Sequence, residues 1–284
     1  MTAETEKPST IKGMEPTQSA RVQSASAAVD SAMKSLRIQA GLNLHREDGN
    51  LVFWVGNDLV AKASTGNART ELAHEALVLN ALRPYGLPVA EMPEGHTQPV
   101  AAGDWTVLFT RRLQAKREQI DLPDLLVSLR ELHAGLQSAL SNVDLPDWSA
   151  ILEGAESCRQ ANAFTGAEAA LMQRAYEAVV RPAIEMPHAG HVIHGDVDFN
   201  QAIATDEGLV WIDFETACRG PLEWDLAAFD DVSAYGDCDR DLWLKLRLVH
   251  SWCVASWCNR SDVENPSRRA ARQLHLEILA TAFA

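Results

Sequence analysis

The chain has 284 residues, of which 39 are acidic and 25 basic, giving a formal net charge of −14, and 46% of its residues are hydrophobic. That length can bury a substantial core, the acidity disfavours nucleic acid as a partner, and no apolar run reaches the roughly 18 residues that span a bilayer. The five cysteines (Cys158, Cys218, Cys238, Cys253, Cys258) form no C-x-x-C pair, and MTAETEKPST lacks a cationic-then-apolar leader pattern. A soluble cytoplasmic protein without a membrane segment is the expectation.

Residues 1–34 are rich in Thr, Ser, Ala, Glu, Lys and Gln with no sustained apolar period. A disordered tail ending in a short helix is expected there. Next, Leu51–Gly56 and Leu59–Lys62 read as two strands joined at Asn57-Asp58. A helix over 68–82 follows, with Leu72, Ala76 and Leu79 on its apolar stripe. Glu75 falls among Leu72, Val78 and Leu79 at helical offsets, where a carboxylate is costly unless paired; Lys62 is its natural cation, and Glu71 is the alternative acid. Trp105–Thr110 reads as a further strand leading into a connection near Thr110–Leu113. Beyond it, Leu122, Leu125, Leu126, Leu129, Leu132 and Leu136 mark an amphipathic helix, and helices are expected near 167–180, 221–230, 240–258 and 266–282. The tryptophans Trp243, Trp252 and Trp257 have helical spacing, which favours core packing over stacking on a ligand.

Between those helices lies the run HVIHGDVDFNQAIATDEGLVWIDFE, residues 191–215. His191–His194 reads as a strand entering a loop, Gln201–Ala204 as a strand leaving it, Asp206-Glu207-Gly208 as a hairpin turn, and Leu209–Ile212 as the returning strand. The hairpin brings Gln201 near Asp213. A His, an Asp two positions on, an amide five after that Asp, and a later Asp-Phe pair form the protein-kinase pattern; here they are His194, Asp196, Gln201 and Asp213-Phe214. Asp196 suits a carboxylate that takes a hydroxyl proton. Asp213 and Gln201 suit hard oxygen ligands of magnesium, with Asn200 as the other amide in reach. His188, His191, His194 and Asp196 could instead ligate zinc, but that would leave the hairpin and Asp213 unexplained. His194 suits a structural hydrogen bond, Asp225 a lock on the loop, and Asp198 a solvated loop carboxylate.

The stretch HVIHGDVDFNQAIATDEGLVWIDFETACRGPLEWDLA, residues 191–227, resembles the aminoglycoside phosphotransferase and choline kinase group of small-molecule kinases. Gly195 in the usual Arg place, Glu215 after Asp213-Phe214, and Trp224-Asp225-Leu226-Ala227 point to that branch. Gln201 departs from it, since the group's usual metal amide is Asn.

The resemblance implies an α+β, bilobal protein-kinase-like fold, with a small β-rich N-lobe carrying one main helix (35–112) and a larger, mostly helical C-lobe (113–284). It implies an enzyme that uses Mg2+ and moves the γ-phosphate of ATP or GTP to a small-molecule hydroxyl. Asp196 would be catalytic, Gln201, Asp213 or Asn200 would hold metal, Lys62 with Glu75 would bind phosphates, and Thr110 to Leu113 would meet the nucleobase. No G-x-G-x-x-G or Walker A run is present, which excludes Rossmann and P-loop readings.

Residues 35–112 hold eight acids and seven bases, and residues 113–284 hold 27 acids and 14 bases. Asp225, Asp230, Asp231, Asp237, Asp239 and Asp241 cluster with only Arg240 to offset them, a field that suits a cationic, amine-bearing acceptor such as an aminoglycoside-like antibiotic or amino sugar. The alternatives are a kinase-like nucleotide-binding module without catalysis, a housekeeping choline or sugar kinase, and a protein kinase proper. The short interval from Asp213 to Trp224 leaves no room for a protein kinase's long activation segment.

Overall fold

The computed structural model describes residues 16–66, 68–116, 118–162, 164–259 and 265–284. The chain divides into two compact units, one from the residues up to Ala76 with Met92–Arg112, the other from Leu77–Glu91 with Leu113–Ala284.

The first unit is built on a five-stranded antiparallel sheet. Its strands are β1 (Leu42–Asp48), β2 (Asn50–Val55), β3 (Leu59–Thr65), β4 (Val100–Ala102) and β5 (Trp105–Arg111), in the order β1-β2-β3-β5-β4. Strand alternation sorts the side chains onto two faces. Leu51, Phe53, Val55, Ala61, Ala63, Trp105, Val107 and Phe109 form one buried face. The cross-strand row Val52, Lys62 and Leu108 belongs to the opposite face. The first face is covered by α1 (Pro16–Ser35), whose Ala25, Ala28, Val29, Ala32 and Met33 are buried against it. The Trp105 indole also donates to Ser24 Oγ at 3.0 Å.

This helix corrects the expected tail. Residues 1–15 lie outside the described residues, but over 16–35 the chain is a 20-residue helix. Its buried positions recur at helical offsets of three and four. Three of the five residues on the contact stripe are alanine, so the period is weak in hydropathy although alanine is the best helix former.

α2 (Ala68–Leu82) follows β3 over the span expected of it. The division between the units runs between Ala76 and Leu77, so residues 77–91 group with the second unit rather than with a continuous 35–112 lobe. Main-chain pairing explains this. Trp211 N donates to Pro88 O at 2.8 Å and Ala90 N to Trp211 O at 2.9 Å, which ties 88–90 alongside the hairpin strand that carries Trp211.

The second unit is mostly helical, comprising α3 (Leu122–Leu140), α4 (Ser149–Ala161), α5 (Gly166–Ala175), α6 (Arg181–Ile184), α7 (Leu222–Leu226), α8 (Arg240–Cys258) and α9 (Pro266–Ala282). A π-turn at Tyr176–Val180 joins α5 to α6. α3 buries Leu125, Leu126, Leu129, Leu132 and Leu136 of the stripe read from sequence, while Leu122, at its first turn, is half-buried. α4 was not anticipated; it buries only Leu152 and Ala155, too narrow a stripe to stand out. Two small antiparallel pairs interrupt the helices: β6 (His191–Ile193) with β9 (Cys218–Gly220), and β7 (Ala202–Thr205) with β8 (Gly208–Trp211). Among the described residues no helix is long and apolar enough to cross a membrane.

Candidate functional site

The loop between β6 and β7 carries Asp196, and its shape is fixed from the backbone outward. Gly195 has φ +90°, and a Cβ there would lie 2.3 Å from the Thr216 carbonyl oxygen, so only glycine fits. The backbone polar groups of His194 and Gly195 are all satisfied. Their N–H groups donate to Asp225 Oδ2 and Oδ1, both at 2.8 Å. Thr216 Oγ1 donates to the His194 carbonyl at 3.2 Å, and the Trp224 indole donates to the Gly195 carbonyl at 2.8 Å.

Asp225 is 1% exposed, where an unpaired carboxylate would be costly. It lies in α7 and, besides the two loop N–H groups, accepts from His133 Nε2 at 2.8 Å; the Tyr235 hydroxyl donates to His133 Nδ1 at 2.8 Å. Sequence reasoning anticipated Asp225 as a lock but missed His133 and Tyr235. A histidine on the buried stripe of α3, next to Leu132, was the available signal.

The His194 ring packs against Phe214 and Trp211, with Nε2 donating to the Ile212 carbonyl at 2.9 Å and Nδ1 facing the Asp196 N–H at 3.4 Å. It therefore braces the Asp196 loop against the strand leading into Asp213. His188 lies elsewhere, with Nε2 on Asp147 Oδ2 at 2.9 Å, so the zinc grouping is not assembled.

The hairpin turns at Asp206-Glu207, with Thr205 paired to Gly208. Pairing continues past β7 and β8, because Ile212 N donates to Gln201 O at 2.9 Å, which sets Gln201 beside the residue preceding Asp213. Asp213 itself has a left-handed backbone, φ 69°. The Gln201 side chain reaches Asp196, its Nε2 donating to Oδ2 at 3.1 Å. Asn200 turns away: its Nδ2 and backbone N–H both donate to Asp198, at 3.0 and 2.6 Å.

The Asp196 carboxyl is pushed above the ordinary carboxylate range. Loss of hydration among surrounding protein atoms is the largest cause; the nearby Asp213 and Asp198 add to it, while His194 and the Gln201 hydrogen bond oppose it. Asp196 still keeps an exposed surface, so it is crowded rather than sealed from water.

In the first unit, Lys62 Nζ meets Glu75 Oε2 at 2.8 Å, with Glu75 3% exposed. Glu75 is thus the acid on Lys62. Thr110 lies in β5 opposite Val60, and Leu113 follows the strand just beyond Arg112, where the units divide.

The acidic cluster of the second unit is largely committed to structure. Asp225 is buried, Asp230 pairs with Arg247, Asp231 accepts from Ser233 N–H, and Asp239 caps α8 by accepting from the Asp241 and Leu242 N–H groups. Of the three tryptophans expected in the core, Trp243 and Trp252 are buried and donate to the Leu226 and Met172 carbonyls, whereas Trp257 is only half-buried.

No protein-family model matches the chain, and no curated protein matches it. Solved structures do. A choline/ethanolamine kinase family protein from Mesorhizobium loti aligns at 18% identity over 89% of this chain and 94% of its own, with a TM-score of 0.63. The amicoumacin kinase hAmiN, solved with AMP-PNP and Ca2+, aligns at 9% identity over 93% and 96%, with a TM-score of 0.68. An aminoglycoside 2'-phosphotransferase-IIIa variant in its GDP complex aligns at 13% identity over 89% and 95%, with a TM-score of 0.62. The chain has the kinase-like fold of these structures. Within this kinase fold, the five-stranded sheet and the helical second unit are the α+β arrangement expected from sequence.

Proposed function

We propose that the chain is a phosphotransferase that moves the γ-phosphate of ATP or GTP to a hydroxyl of a small, amine-bearing molecule. The observation that carries this reading is the joining of the two loops: Gln201 hydrogen-bonds Asp196 through its side chain and Ile212, next to Asp213, through its backbone. A carboxylate base, a side-chain amide and a second carboxylate are the groups phosphoryl transfer needs at one place. The kinase fold of the chain, and the nucleotides carried by two of its structural neighbours, support it further.

Asp196 takes the acceptor's proton and aims its oxygen, and its raised proton affinity suits that task. Lys62, held by Glu75, binds phosphate oxygens, and the backbone of Thr110–Leu113 meets the nucleobase. Magnesium fits the donors present. Asp213 and the amide oxygen of Gln201 are hard oxygen ligands, and the mutual crowding of Asp196, Asp213 and Asp198 is what a divalent cation relieves. Gln201 is preferred to Asn200 as the amide ligand because the Asn200 side chain is turned to Asp198. When bound, the ion neutralises charge on the phosphate oxygens.

The test is a nucleotide-consumption screen, with Mg2+ and either ATP or GTP, over amine-bearing antibiotics, amino sugars, choline-like alcohols and plain sugars. Product mass is the readout. A product heavier by one phosphoryl group supports the reading; absence of any phosphorylated product rejects it in favour of a non-catalytic module.

A further inference from the structure

Phe199 is unused by the reading above, and neither turn chemistry nor the core accounts for it. Gln201 N donates to Asp198 O at 3.2 Å, which closes a turn over 198–201 with Phe199 and Asn200 at its corners. Such corners favour Gly, Pro, Asn, Asp or Ser, and Asn200 conforms. Phe199 does not. The chain buries Val197 but turns Asp196 and Phe199 to solvent, and Phe199 is 45% exposed. Its ring is nonetheless held in place. It meets Phe229 edge to face, with centroids 5.7 Å apart and planes at 88°, and Phe229 is buried. Phe229 follows α7, its N–H donating to the Leu226 carbonyl at 3.2 Å, so the segment that locks the Asp196 loop through Asp225 also backs Phe199. A fixed, water-exposed aromatic three residues from the proposed base breaks local rules in the way that functional positions do.

We propose that Phe199 recognises the acceptor by offering its ring to an ammonium group, so that the acceptor carries a positive charge close to the hydroxyl that is phosphorylated. This rests on the phosphoryl-transfer reading, because Asp196 is what brings an acceptor to this loop. Three residues of chain span at most about 10 Å, so a small molecule whose hydroxyl meets Asp196 can present a charge a few bonds away to the ring. Charge complementarity says what the ring takes. Asp198 precedes Phe199, and Asp230 and Asp231 follow Phe229 directly. Asp198 accepts from the backbone and side chain of Asn200 in its own turn; an ionised carboxylate has about four acceptor sites, so it can still receive an ammonium N–H. Arg247 pairs with Asp230, and among the described residues no such ion pair is made by Asp196, Asp198 or Asp231. Aromatic faces attract cations, and elsewhere guanidinium groups take that place, with Arg112 over Trp54, Arg181 over Tyr176 and Arg272 over Phe164. Among the described residues no Arg lies over Phe199. A neutral sugar would gain apolar contact from this ring but nothing from the charge around it.

The experiment is calorimetric titration of the full chain with two pairs of probes, each a cation and its neutral twin: choline with its uncharged carbon isostere dimethylbutanol, and glucosamine with glucose. Phosphate transfer to each probe is followed in parallel by product mass. In at least one pair the cation is expected to bind about tenfold more tightly than its twin. A larger ratio for choline assigns a quaternary ammonium and a larger ratio for glucosamine a primary one; either supports the proposal. Phe199→Leu keeps an apolar side chain against Phe229 and removes the ring. It should weaken the cation about fivefold and leave the neutral twin within about twofold, whereas Phe199→Trp, with the stronger ring, should hold or tighten the cation. The proposal is overturned if no probe binds, if neither cation binds better than its twin, or if the two variants leave the ratio of cation to twin unchanged. The two readings fail separately. Transfer to a probe with that ratio indifferent to both variants overturns the Phe199 assignment alone, whereas Phe199-dependent cation binding without transfer overturns phosphoryl transfer and leaves the recognition residue in place.

Discussion

The carboxylate of Asp196 is crowded by Asp213 and Asp198 yet keeps an exposed surface, a combination that suits proton transfer better than a passive structural role. Asp196→Asn preserves an oxygen for the Gln201 hydrogen bond and removes the base. Turnover should fall by about 10²–10⁴-fold while nucleotide affinity, measured by calorimetry, stays within about twofold. Full activity in that variant would eliminate Asp196 as the base. A second test separates the two amides. Gln201→Ala should raise the Mg2+ concentration needed for half-maximal rate, whereas Asn200→Ala should not, because the Asn200 amide serves Asp198; the reverse order would make Asn200 the ligand. The closeness of Asp196, Gln201 and the strand leading into Asp213 was legible because a short hairpin with a clear turn separates them. The support behind them was not. His133 lies 92 positions from Asp225 and 102 from Tyr235, and nothing in local periodicity couples partners so far apart.

Among the elements, α1 shows where hydropathy patterning loses information. Its contact stripe is mostly alanine, which buries little area per residue and barely raises an apolar period, yet close approach of small side chains lets the helix lie against Leu51, Phe53 and Val107. The strands beneath it were easier to read because β-branched and aromatic residues alternate across them. If α1 is integral to the first unit, Val29→Asp will be costly, since Val29 is 0% exposed and the carboxylate would have no partner in that apolar layer. A loss of about 3 kcal/mol or more is expected, read as a lowered urea midpoint. An unchanged midpoint would mean that the helix is dispensable. The buried carboxylate of Asp225 is the contrasting case: it accepts hydrogen bonds from three groups, so its burial is compensated and the short α7 can hold the Asp196 loop.

Over the whole molecule, the formal charge of −14 looks in sequence like one acidic field, but several carboxylates of the acidic cluster are engaged in a cap, an ion pair and the Asp225 lock. Attraction for a cationic acceptor therefore depends on fewer unengaged carboxylates than the count implies. His250, in α8, links stability to pH. Its pKa is lowered from 6.5 to about 3, first by desolvation, then by His275 and Arg247, and the His275 pKa is lowered by burial as well. Below pH 6.5 the unfolded chain takes up a proton at each position that the folded chain resists, so the unfolded state binds more protons and stability decreases as the pH is lowered. The contribution is full above about 6.5, declines steadily toward 3, and is constant below that. Urea midpoints of the wild-type chain should therefore drop between pH 6.5 and 4 more steeply than those of His250→Phe, which has no proton to gain at this position. Parallel curves for the two proteins would show that water hydrates the imidazole in the folded state, and that the ring is not held neutral as the packing of α8 on Trp224 and α9 implies.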